Sequence, residues 1–287
     1  MRELNHTVTW PALFAAYALL GGCTPAEEPE ESPAPDVPPA RPEVPADVPD
    51  ADARPVVAER LPYAEVDEQL VYGHFAIPAD MIDPLPAVIL IHDWWGLNDE
   101  MREASERLAA EGYIVLGVDL FVGRTASSPA EARELEIKVI EDPESAIDNL
   151  RQAYDFILHT AGAPRVATIG FGFGGAWSLN AAMEFSENLT ATVTYYGQVY
   201  DDPERLGAIG APVLGLFAEG DRAVPPDAVD RFEKALVSLE KDVEVHVYPD
   251  ARRGFADRLS DNYDATAARD AWERVVTFLE PLMSGDD

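Results

Sequence analysis

The chain of 287 residues contains one cysteine, Cys23, so no disulfide can form within it. It is equally poor in positive charge. Twenty-one Lys and Arg stand against 53 Asp and Glu, for a formal net charge of −32. A surface of that sign repels nucleic acid and anionic lipid headgroups, which excludes both as partners of a folded body. There are only five histidines, and none falls into a cluster with metal-ligand spacing, so neither a metal nor another cofactor is expected. The N-terminal apolar run, "TVTWPALFAAYALLGG", falls short of the about 20 residues that span a membrane.

What is present begins with that run. Arg2 precedes it and Cys23 ends it, in the manner of a secretory h-region. "LLGGC" (Leu20 to Cys23) resembles the bacterial lipoprotein signal. That resemblance implies cleavage before Cys23, a lipid on its sulfur and a place in the bacterial cell envelope. Residues 1–22 are thus expected to be a signal peptide. Residues 24–55 are rich in proline and acid and hold no Phe, Tyr, Trp, Leu or Ile. Such a segment cannot bury a core and is expected to form an extended tether with a reach of roughly 100 Å.

Residues 56–287 are expected to form one α/β domain. "QLVYGHFAI" reads as a strand, and "AVILIHD" as a continuous apolar strand buried on both faces. "NDEMREASERLAAEGY" reads as a helix capped by Asn98, with Leu97, Met101, Ala104 and Leu108 on one face. The alternation continues through "YIVLGVDLF", "PESAIDNLRQAYDFILHT", "RVATIGF", "GGAWSLNAAMEF", "ATVTYYG", "PVLGLFA", "PDAVDRFEKALVSLE", "VEVHVYP" and a C-terminal helix. Repeated βα units predict a mostly parallel sheet with helices on both faces.

The most informative stretch is "GFGFGG", residues 170–175, between a strand and a helix. Gly170, Gly172 and Gly175 satisfy the dinucleotide-binding spacing. Two features oppose that reading. The motif lies past the middle of the α/β body, and the next strand ends in Tyr195, Tyr196 and Gly197 where an acidic residue should meet a ribose. The other reading is a nucleophile elbow, with Gly172 at the nucleophile position.

That second reading carries a resemblance to the dienelactone hydrolase family over residues 57–283. "IHDWWGLND", "EGYIVLGVDLFVGR", "GFGFGG", "GDRAVP" and "YPDARRGF" resemble five of its segments, in the family's order. The resemblance implies an α/β-hydrolase fold and a triad of Cys or Ser, Asp and His. Here it implies that Asp221 is the retained acid, while Gly172 stands at the nucleophile position and Arg253 at the histidine. Glycine has no side chain to attack a carbonyl, and a guanidinium does not serve as a base. Asp93 matches an acidic position that contacts the family's nucleophile. The backbone N–H groups of Trp94 and Phe173 map to the oxyanion hole, and Arg124 to an arginine that meets a substrate carboxylate. Arg252 adds charge on the former histidine loop.

The expectation is an inactive binding protein for a small anionic, carboxylate-bearing ligand. A protein partner of unknown identity is the other occupant expected of such a binding protein, and two alternatives stay open: an active ester or lactone hydrolase with another nucleophile, and a purely structural envelope protein. Ser178, six positions past Gly172, should point away from the mouth. His92 and His246 read as structural residues, and His74 and His159 show no partner signal.

Overall fold

The computed structural model describes residues 54–285. Cys23 and the segments 1–22 and 24–53 lie outside them. Eight strands form one sheet in the order β1-β2-β4-β3-β5-β6-β7-β8. The strands are β1 (Val56–Val66), β2 (Gln69–Pro78), β3 (Ala87–Ile91), β4 (Ile114–Val118), β5 (Val166–Phe171), β6 (Ala191–Tyr195), β7 (Val213–Ala218) and β8 (Val243–Tyr248). Both pairings of β2, with β1 and with β4, are antiparallel; all the others are parallel. β3 to β7 are buried along their whole length, as their unbroken apolar runs require.

Helices cover both faces. α1 (Asp99–Ala110) and α7 (Ala265–Ser284) pack Met101, Leu108, Trp272, Val275 and Leu279 into one core. α2 (Pro129–Glu141), α3 (Pro143–Asp155), α4 (Phe173–Phe185) and α6 (Pro226–Ser238) pack Leu135, Leu150, Leu179 and Phe232 into the other. α5 (Pro203–Leu206) is one turn. Asn98 caps α1 by accepting from the Met101 N–H, as its position before the apolar stripe predicts.

β1, α2 and the one-turn α5 are absent from the sequence reading. β1 has an exposed, charged outer half and a register shift at Pro62/Ala64. It joins β2 through Asp67 and Glu68, both at positive φ, a two-residue turn whose twist suits a hairpin. α2 begins at an N-cap serine: Ser128 Oγ accepts from the Glu131 N–H at 3.3 Å, Glu131 Oε2 accepts from the Ser127 N–H at 2.9 Å, and Pro129 occupies the first turn. Among the described residues no helix is long and apolar enough to cross a membrane.

Candidate functional site

The site forms where β5 ends. The chain passes from Phe171 through Gly172 into α4 with φ +55° and ψ −106° at Gly172. A residue with a side chain is strained there, and glycine is not. The neighbouring glycines serve a different purpose. A Cβ on Gly170 would sit 2.0 Å from the Gly174 carbonyl oxygen, and one on Gly174 would sit 2.1 Å from that of Ile91. One on Gly175 would lie 2.8 Å from Thr194 Oγ1. The glycine spacing is therefore set by the close crossing of α4 over β3, β5 and β6, with no need of a phosphate.

At Gly172 the open direction leads to Arg253. A Cβ there would stand 3.4 Å from Arg253 Nη2 and 3.9 Å from the Tyr196 ring. Arg253 Nη1 donates to Asp221 Oδ2 at 3.1 Å and to the Tyr196 carbonyl oxygen at 2.6 Å. The Asp221 side chain is 1% exposed, against 37% for Arg253. The acid is held independently of the arginine, since Asp221 Oδ1 also accepts from the N–H groups of Ala223 (2.8 Å) and Val224 (3.1 Å). The guanidinium thus spans the gap between the acid and the bare elbow. Arg252, one residue earlier, is exposed.

On the opposite wall, Asp93 Oδ1 accepts from the Trp95 N–H at 2.8 Å, which folds the loop after β3 back on itself. Among the described residues the N–H groups of Trp94 and Phe173 have no hydrogen-bond partner, and no side chain caps α4. Two unpaired donors and a helix N-terminus beside a guanidinium favour an anion. Arg124 is placed differently. It is 46% exposed, and its Nη2 lies 3.3 Å from Glu131 Oε1 on α2.

Two residues of the site were not singled out from the sequence. Tyr196 closes the floor under the elbow with φ +38°, stacks edge-on with Phe255, and is buried. Burial, reinforced by Asp257, Glu100 and Asp93, pushes its phenol well above the ordinary range. Glu136 on α2 is half-buried, and burial raises its carboxyl while Arg253 and Arg133 pull it back. The signal for Glu136 was the N-cap Ser128 followed by Ala132, Leu135 and Val139 at helical spacing. Tyr196 offered no motif of its own.

The remaining candidates lie elsewhere. Ser178 Oγ donates to Thr168 Oγ1 at 2.9 Å, inside the α4–β5 interface. His92 is fully buried; its Nε2 accepts from the Leu120 N–H at 3.1 Å, which leaves the proton on Nδ1, 2.6 Å from the Asp93 carbonyl oxygen. Burial keeps His92 below the usual histidine range. His74 on β2 meets Glu106 of α1 at 3.0 Å, and His246 on β8 meets Glu244 at 2.5 Å. Among the described residues no three His, Cys, Asp or Glu side chains gather as metal ligands would.

The model of the dienelactone hydrolase family matches residues 71–283. A protein of Saccharolobus solfataricus provisionally named a carboxymethylenebutenolidase is 30% identical over 234 residues, covering 69% of this chain and 90% of its own. Protein usf of Aquifex pyrophilus is 30% identical over 206 residues, covering 69% and 89%. The fold is shared with a dienelactone hydrolase-like promiscuous phosphotriesterase from metagenomic libraries. Its TM-score is 0.70 at 24% identity, over 79% of this chain and 98% of the other. It is shared also with a dienelactone hydrolase from Anabaena variabilis, with TM-score 0.59 at 20% identity over 78% and 97%. With its eight-stranded α/β-hydrolase sheet and a glycine elbow after β5, this chain belongs to the dienelactone hydrolase family.

Proposed function

We propose that this chain is a non-hydrolytic member of its family that binds a small carboxylate-bearing ligand at the bare elbow. One observation carries the reading: Arg253 occupies the space between Asp221 and Gly172, at 3.1 Å from the acid and 3.4 Å from where an elbow side chain would begin. Gly172 offers no nucleophile at the elbow, and the position of the triad base holds a guanidinium, which does not accept a proton. In a serine protease, loss of such residues lowers turnover on the order of 10⁶, which leaves about 10³–10⁴ over water. The ligand's anionic oxygen would take the N–H groups of Trp94 and Phe173 and the Nη2 of Arg253. Asp221 neutralises the guanidinium in the empty site, and the ligand completes its donor set. We place Cys23 as the lipidated residue that holds the domain at the cell envelope.

The names of the relatives favour a second reading, an active ester or lactone hydrolase working through other groups. A hydrolysis assay on an activated ester separates the two, with Gly172→Ala as the control. The first reading expects rates near background in both proteins. Thermal denaturation against a panel of mono- and dicarboxylates then tests binding. A ligand at 100 times its Kd should stabilise the fold by about 2.7 kcal/mol. Ester hydrolysis at ordinary enzyme rates would reject the non-hydrolytic reading, and no shift with any carboxylate would reject the ligand.

A further inference from the structure

On the far side of the sheet from β1, a groove of about 500 Å³ runs between β8 and α7. Its rim carries four carboxylates, Asp242, Glu244, Asp270 and Glu273, and its floor includes the half-buried Phe278 and Leu282. One cation, Arg274, also lines it. That cation is already engaged, since its Nε donates to Asp270 Oδ2 at 2.6 Å. The groove borders an edge of the sheet, because among the described residues β8 is the last strand and pairs only with β7. An edge strand turns alternate N–H and C=O groups outward, where a further strand can take them.

We propose that this edge is a docking site for an extended, basic peptide segment of a partner protein, which adds a ninth strand beside β8. Charge complementarity selects that occupant over the others. A second copy of the chain would bring the same carboxylates to face these, and the chain as a whole carries −32. The segment 24–55 of the same chain is acidic and proline-rich, so it would be repelled and would lack donors for a ladder. Many proteins guard an edge with lysine or proline. β8 has neither, and its sequence "VEVHVY" places Glu244 there instead. The guard is thus negative: it blocks pairing with the chain's own kind and leaves the edge open to a strand of opposite sign. The alternation of such a strand would lay basic side chains on the α7 face, along the carboxylate rim, and apolar ones on the opposite face of β8, where Val243 and Val245 pack and Val247 is 40% exposed. This inference is independent of the elbow.

The test uses the full chain and a labelled hexapeptide alternating valine and lysine, with binding read by fluorescence anisotropy. Binding should fall at least tenfold in the double variant Asp242→Lys/Glu244→Lys. It should fall at least tenfold again for the same peptide N-methylated at alternate residues, which keeps its charge and loses its donors. A peptide alternating valine and glutamate should not bind. If the N-methylated peptide binds as tightly as the parent, strand addition is overturned, and this measurement needs no variant to fold. If the double variant binds the parent undiminished, the attraction is to the acidic surface at large and the site is overturned.

Discussion

Restoring the lost side chains puts the bare elbow to its strongest test. Gly172→Cys with Arg253→His would return a thiol and an imidazole to positions that converge on Asp221. The structure sets the stability cost. A Cβ at Gly172 finds room, since its nearest neighbour is the flexible tip of Arg253 at 3.4 Å, so crowding is a minor term. The backbone is the major term: φ +55° and ψ −106° impose about 1–3 kcal/mol on a residue with a side chain. Arg253→His removes the bonds to Asp221 and to the Tyr196 carbonyl oxygen, and the imidazole can regain the first. That loss is about 1–2 kcal/mol. A sum of about 2–5 kcal/mol is tolerable in a domain stable by about 5–15 kcal/mol. Urea denaturation should report it, with most of the cost arising from Gly172→Cys. Hydrolysis of an activated thioester or ester should rise at least about 10²-fold above both single variants, because nucleophile and base act as a unit. A double variant that folds and gains nothing over Gly172→Cys alone would refute the claim that only these two positions separate the protein from chemistry.

Asp221→Ala should cost about 2–3 kcal/mol in urea unfolding, since it strands two backbone N–H groups and a guanidinium. Arg253→Ala should cost about 1–2 kcal/mol, discounted for its exposure, with a coupling near 1 kcal/mol in the double-mutant cycle; equal costs would contradict the asymmetric burial. His92 is held neutral in the fold and takes a proton when unfolded. Stability should therefore be full above about pH 6.5 and fall below it by up to about 1.4 kcal/mol per pH unit. His92→Gln should flatten that slope between pH 6.5 and 5.5, and an unchanged slope would assign it to other groups, His74 first. For any carboxylate that binds, calorimetry should find Arg253→Gln weaker by at least tenfold and Arg124→Gln within about twofold, because Glu131 already engages Arg124; the reverse order would move the ligand toward α2.

The legible parts of the fold were those where one periodicity governs a whole element. β3 to β7 announce themselves because both their faces are buried, and α1, α3 and α6 because one apolar stripe repeats. β1 was opaque because its outer half faces water and interrupts the pattern with Glu59 and Arg60. α2 was opaque because Ile137 and Ile140 are exposed beside its buried residues, which blurs the stripe its N-cap serine announces. At the site, the approach of Arg253 to Asp221 depends on two loops that meet only after β7 and β8 pair. Their motif positions gave the residues; the carbonyl oxygen of Tyr196, which takes the shorter of the two bonds from Arg253, has no signature in sequence.

The glycines around the elbow show why the form of this site does not depend on the residue at the nucleophile position. Gly170, Gly174 and Gly175 are required because backbone and side-chain atoms of β3, α4 and β6 come within about 2–3 Å of where their Cβ atoms would be. Those demands come from packing a helix against a parallel sheet and do not change when the nucleophile does. The elbow's tight turn, the unpaired N–H of Phe173 and the helix terminus behind it are consequences of the same packing. The motif "GFGFGG" therefore reports the fold, and only its third position reports the reaction. Gly172 relieves strain that a cysteine or serine would impose, so stability alone favours its retention once hydrolysis is no longer required. Arg253 adds the complementary step. A neutral residue there would leave Asp221 with its two backbone N–H bonds and no cation, whereas the guanidinium pairs with the buried acid and turns its second nitrogen toward the bare elbow. On the proposed reading, the acid that would orient a base in a complete triad anchors a donor instead, and the backbone N–H groups at the elbow are left to hold an anion.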